Sequence, residues 1–145
     1  MINAANYMII PELKLILECC KGHTKMVDAV KMKKDEVADP AYSLTYNVIA
    51  DFREFEIEFK ASDINLIKGF VDYLKSTKSK CNTALLTSTP HQVVLTNYLK
   101  DLSIDLPISF EIFSTLDSAI NFVGYSDNNY NFINQKLIEL NRITV

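Results

Sequence analysis

Glycine and proline are scarce in this chain, with three and four residues in 145. Their scarcity excludes a turn-rich all-β sandwich, whose many reversals need both. Three glycines also cannot build a glycine-rich phosphate loop. The three cysteines are an odd count and include the adjacent pair Cys19 and Cys20, so no disulfide framework is expected. A reducing cytoplasm is the expected setting. No apolar run approaches the roughly 18 residues of a membrane span. The opening MINAANYMII lacks a basic segment and a long apolar core, so it does not read as a signal peptide. A basic excess is missing as well: the net charge is −3, and phosphate contacts demand a basic surface, so no nucleic-acid partner is expected.

Catalytic fingerprints are equally sparse. There is no Gly-x-Ser-x-Gly elbow to present a nucleophile. Cys20 and His23 form a C-x-x-H pair, but the other histidine is His91, and a structural zinc site needs four ligands. No catalytic residue, metal or cofactor is therefore expected. Glu54, Glu56 and Glu58 share one face of an alternating segment and read as a solvated edge that discourages pairing with another chain.

What is present is a strongly apolar composition, 48% of residues, with eight Phe and seven Tyr. It is enough for one folded domain over residues 1–145. NYMII and LKLILECCKG read as two strands broken at Pro11, which cannot donate to a sheet ladder. In the second, Leu13, Leu15 and Leu17 make one wholly apolar face against Lys14, Ile16 and Glu18. From Thr24 to Val37, the residues Met26, Val27, Val30 and Val37 recur at helical spacing. Lys25, Lys31, Lys33 and Lys34 interleave there with Asp28, Asp35 and Glu36 and read as a solvated helix face. Asp39-Pro40 stops the helix.

Val48-Ile49-Ala50 suits a strand buried on both faces. The alternation that follows, through Phe55, Ile57 and Phe59, reads as a strand extension or a separate edge. A helix from Ser62 to Lys75 carries Ile64, Ile67, Val71 and Leu74 on one stripe. TALLTS is a central strand, and Thr89-Pro90 starts a helix with a cap residue and a first-turn proline. ISFEIF is a further strand, Thr115 opens a short helix closed near Gly124, and Tyr130, Ile133, Leu137 and Leu140 mark a last one. Strands alternating with helices predict an α/β fold: a mostly parallel four- to five-stranded sheet covered by helices. The core is expected over about 7–124, with a C-terminal helical extension over about 126–145.

This element order resembles the anti-sigma-factor-antagonist or STAS domain, and particularly its SpoIIAA-like branch. DPAYSLTYNVIADFR is similar to that family's run into a buried strand ending in Asp-(apolar)-Arg, here Asp51 and Arg53. TALLTSTPHQVVLTNYL is similar to its strand-turn-helix unit, and FEIFSTLDSAINFV to its final strand and helix. Together with LKLILECCKG the similarity spans residues 7–124. The resemblance implies a small non-enzymatic bacterial module that works by binding. In well-understood members a serine at a helix start, in an Asp-Ser-(Ser/Thr)-Gly motif, is phosphorylated by a partner kinase; others are suspected of holding lipids or other apolar ligands.

Ser62 is the regulatory phosphorylation candidate by position, since phosphate suits the positive end of a helix. Its surroundings, Lys60-Ala61-Ser62-Asp63, lack the motif's Asp and Gly, and a helix cap accounts for Ser62 equally. Thr87, Ser88 and His91 are ligand-binding candidates, because ligands collect at the carboxyl ends of parallel strands. Leu66, Phe70 and Tyr73 widen the apolar stripe of their helix. Ordinary two-sided packing, a homodimer face or an apolar pocket would each explain that width. The expected function is a cytoplasmic interaction or regulatory module with a protein partner or a second copy. The alternative is a carrier or sensor of a small apolar or lipid-like ligand, marked by a deep cavity under the helices that follow Ser62 and Thr89.

Overall fold

The structure is a computed structural model describing residues 4–56, 60–77 and 79–144. Strands β1 (Ala4–Ile10), β2 (Leu15–Lys21), β3 (Asn47–Asp51), β4 (Cys81–Leu86) and β5 (Ile108–Phe113) form one sheet in that spatial order. β1 is antiparallel to β2, with Ile10 opposite Leu15 and Ala4 opposite Lys21. The other pairings are parallel. The reversal between β1 and β2 is a 3-10 turn over Pro11–Leu13 closed by Lys14 in the left-handed region, φ 49°.

Each parallel crossover carries a helix: α1 (Met26–Ala38), α2 (Ala61–Thr77) and α3 (Pro90–Leu102). Because the strands follow in sequence order and such crossovers share one hand, these three helices cover one face. After β5 the chain crosses to the other face through α4 (Leu116–Phe122) and α5 (Tyr130–Ile143), which pack on β4 and β5 and on β1 and β2 respectively. Both faces of β2 are thus covered, and Leu15 to Cys20 are all buried. The expectation of a single apolar face on β2 gives way to burial on both sides.

The two sides pack differently. Under α4 and α5 there is one continuous cluster running from Leu15, Leu17 and Ile49 to Ile120, Ile133 and Leu140. The C-terminal helix is part of this core, since Ile133 and Leu140 are wholly buried. Under α1–α3 the core is divided into one cluster around Ile67, Leu74 and Ile108 and another around Cys20, Met32, Phe55 and Leu95.

Three local expectations are corrected. Phe52 to Glu56 is not strand: β3 ends at Asp51, and a single bridge joins Phe55 to Gly22. Gly22 donates to Glu54 O and accepts from Glu56 N, both at 2.8 Å, from a φ of 58° that favours glycine. The segment Ile57–Glu58–Phe59 lies outside the described residues. Val27, read as part of the buried stripe of α1, is exposed. Ser62 does not cap α2: the helix starts at Ala61, Ser62 is its second residue, and the Asp63 carboxylate accepts from the Lys60 backbone N–H at 2.9 Å.

Leu140→Ala is expected to destabilise the fold by about 2–5 kcal/mol in urea unfolding, the usual range for emptying a fully buried leucine site. A loss under about 1 kcal/mol, the range of exposed positions, would place α5 outside the core.

Candidate functional site

Glu18 lies on the face of β2 that α1–α3 cover. Its strand neighbours are Tyr7 and Ala50. A desolvated carboxylate requires a cation, and α1 supplies it: Lys33 Nζ forms an ion pair with Glu18 Oε1 and lies 2.6 Å from Glu36 Oε2. Glu36, three residues further along α1, is wholly buried. Neither of its carboxylate oxygens accepts a hydrogen bond of ordinary geometry, and its polar neighbours are Lys33 and Glu18. Lys33 and Glu36, expected on a solvated helix face, are instead interior. They are held there by Glu18, a partner that only the folded sheet brings near.

Two carboxylates around one ammonium leave an imbalance. Burial, reinforced by the Glu18 charge, outweighs the attraction of Lys33 and raises Glu36 to about 8. Burial works against the charge on Lys33, but Glu18 and Glu36 prevail and hold it above the ordinary lysine range. At neutral pH the cluster therefore keeps one proton on its carboxylates, and its net charge is zero.

A cavity of about 110 Å3 adjoins this cluster, between the sheet and α1–α3. Its floor is Cys20, Ala50, Leu85 and Phe110 from four strands, and its roof includes Val30, Ile67, Phe70, Leu95 and Leu99. It lies between the two separate clusters of this side and takes wall residues from both. The polar residues on its wall are Glu18, Lys33 and Thr83. Burial raises the Cys20 thiol well above its ordinary range, so that wall position stays uncharged.

Of the apolar candidates, the structure brings Phe70 to this cavity. Tyr73 turns toward α1, where Lys34 Nζ sits 5.8 Å from its ring centroid. Leu66 is half-buried and outside the cavity wall. The large exposed apolar side chains, among them Val27, Leu44, Val94 and Ile104, are scattered over different elements.

The residues 87–91 are largely engaged in holding the fold. Thr87 is buried and its backbone N–H donates to Phe113 O at 2.9 Å. Ser88 Oγ donates to Arg53 O at 2.7 Å. Thr89 and Gln92 cap α3 reciprocally, and Gln92 Nε2 donates to Arg53 O and Phe55 O at 3.2 and 3.0 Å. Gln92 thus ties the 52–55 turn to the helix, a role legible only as Thr-x-x-Gln in the sequence. His91 is exposed at the helix start. Ser62 is exposed and far along the chain from these residues, with Asp63 beside it.

Asp51 and Arg53 form a two-pronged ion pair, Nε to Oδ1 at 3.0 Å and Nη2 to Oδ2 at 2.9 Å. They edge a second hollow of about 220 Å3 beneath Asn134, Asn141 and Arg142 of α5 and its end. Cys19 and Cys20 fall in clusters on opposite sides of the sheet. His23 Nε2 lies 2.8 Å from Glu56 Oε2. Among the described residues, no three His, Cys, Asp or Glu side chains converge as metal ligands. No helix there is long and apolar enough to cross a membrane.

The chain matches no protein-family model, no curated protein and no solved structure.

The proton on Glu36 couples stability to pH. Its folded value, about 8, lies above the ordinary 4.5. The favourable contribution is therefore complete below the unfolded value and is lost as pH rises through the folded one. Glu36→Gln imitates the protonated state. Urea unfolding should find the variant close to the parent at pH 5 and more stable by on the order of a few kcal/mol at pH 9. Equal offsets at both pH values would contradict the raised value.

Proposed function

We propose that this chain is a non-enzymatic regulatory module of the SpoIIAA/STAS type whose input is a small apolar ligand, held between α1–α3 and the sheet. The observation that carries this reading is the cavity that divides the core on that side. Native interiors are close-packed, and a void forfeits contacts on every wall. A hollow walled mainly by apolar side chains between two parts of one core has a place for an apolar guest, whereas the hollow under α5 is edged by Asp51, Arg53, Asn134, Asn141 and Arg142. The volume, about 110 Å3, is of the order of the roughly 150 Å3 engineered apolar cavity that takes up benzene. It accommodates a short or compact apolar body without movement of the helices; a long acyl chain would require α2 or α3 to shift.

The sequence resemblance supports the same reading, since some relatives of that kind are suspected of holding apolar ligands. The order of helices and strands agrees with the α/β arrangement the resemblance implies. Nothing in the cavity wall acts as an activated nucleophile: the nearby thiol of Cys20 is held protonated by burial.

Native mass spectrometry of the protein purified from its own host tests the reading. A bound small molecule is expected, and Ala50→Leu, which places a larger side chain in the cavity floor, should abolish its retention without lowering the unfolding temperature. Protein that carries no small molecule, together with a variant destabilised by overpacking, would contradict it.

A further inference from the structure

The cavity wall is apolar except for Glu18, Lys33 and Thr83, and the two charged residues among them specify a head group. Glu36 stands behind Lys33. The fully ionised cluster has two carboxylates for one ammonium, and both Glu36 oxygens lack a hydrogen bond of ordinary geometry. An anionic head would meet Lys33 only in company with two carboxylates that already need a proton to balance their charge, so it is disfavoured. A neutral hydroxyl leaves the charge balance as it is. A cation completes it: two negative groups then face two positive ones.

We infer that the cavity selects a small apolar molecule carrying one protonated primary amine, with the ammonium placed at the Glu18 carboxylate and the apolar body under Phe70, Leu95 and Leu99. This deepens the reading of the cavity as a ligand site and rests on it. Ammonium binding displaces the proton that the carboxylates otherwise share, and that proton leaves to solvent. Further titratable groups facing the cluster are Tyr7 from β1, Cys20 from β2 and Tyr42 from the segment after α1. Tyr7 and Tyr42 are pushed up to about 12 and Cys20 is raised. Tyr7, Cys20 and Tyr42 therefore stay neutral over the range in which the carboxylates exchange their proton.

Three probes of matched size separate the possibilities: n-butylamine, n-butanol and sodium butyrate, titrated into the full chain and followed by amide chemical shifts of cavity residues. Butylamine should bind at least about tenfold more tightly than butanol at pH 8.5. Its apparent affinity should rise about tenfold between pH 6 and pH 7 and level off above about pH 8, as exchange for one proton requires. Butyrate should be the weakest. In Glu36→Gln the pH dependence should vanish and butylamine should fall to the level of butanol, while butanol binding is retained.

Butanol binding as well as or better than butylamine would overturn the amine assignment and leave the cavity reading standing. Butyrate as the tightest probe would do the same. A butylamine affinity independent of pH in the unmodified chain would also overturn it, without reliance on the variant. No binding of any probe would overturn both the assignment and the ligand reading beneath it.

Discussion

A carboxylate in the interior face of a central strand is the constraint around which one side of this molecule is organised. Glu18 cannot lie desolvated beneath helices without a cation, because an unpaired buried ion costs several kcal/mol. Lys33 meets the need from α1, and the i,i+3 spacing of a helix brings Glu36 to the same ammonium. The position of α1 over β2 is therefore tied to an ion pair as well as to apolar burial. The lateral neighbour of Glu18 on β3 is Ala50, whose methyl group occupies little of the space beside the cluster.

The opposite face follows the ordinary rule. Leucine, isoleucine and valine from β2, β3, β4, α4 and α5 make one uninterrupted core there. It anchors the sheet and leaves the α1–α3 side able to carry an expensive polar cluster and a hollow. Continuous packing on one side thus accompanies a divided core, a polar cluster and a cavity on the other. The reciprocal cap of Thr89 with Gln92, and the hold of Gln92 on the 52–55 turn, keep Phe55 in the cavity wall from the carboxyl end of the sheet.

Much of the fold was legible because its signals are local. Pro11, Gly22 and Asp39-Pro40 punctuate the chain where β1, β2 and α1 end. The apolar run of β3 announces a strand covered on both sides, and TALLTS a central strand, whereas the alternation read in β2 hides that its second face is buried as well. The cluster was not legible, since Lys33 and Glu36 three residues apart look the same whether solvated or buried. One signal did exist: Met26, Val30, Lys33 and Val37 fall at positions i, i+4, i+7 and i+11, so Lys33 lies within the apolar stripe. The start of α2 is hidden for a similar reason, because Ser62 suits a cap position and only the backbone shows it inside the first turn, with the Asp63 carboxylate accepting from the Lys60 N–H. The cavity is a property of how α1, α2 and α3 meet, and no single segment encodes it.

Carboxyl-carbon NMR titration of the glutamate side chains measures the central feature directly. A glutamate resonance assigned to Glu36 should titrate near pH 8, with Lys33 charged throughout, and the raised titration should disappear when Lys33 and Glu36 are exposed by unfolding. A Glu36 resonance that titrates below about pH 5, in the ordinary carboxylate range, would mean that the cluster is solvated and that the side of the sheet built around it is not as described.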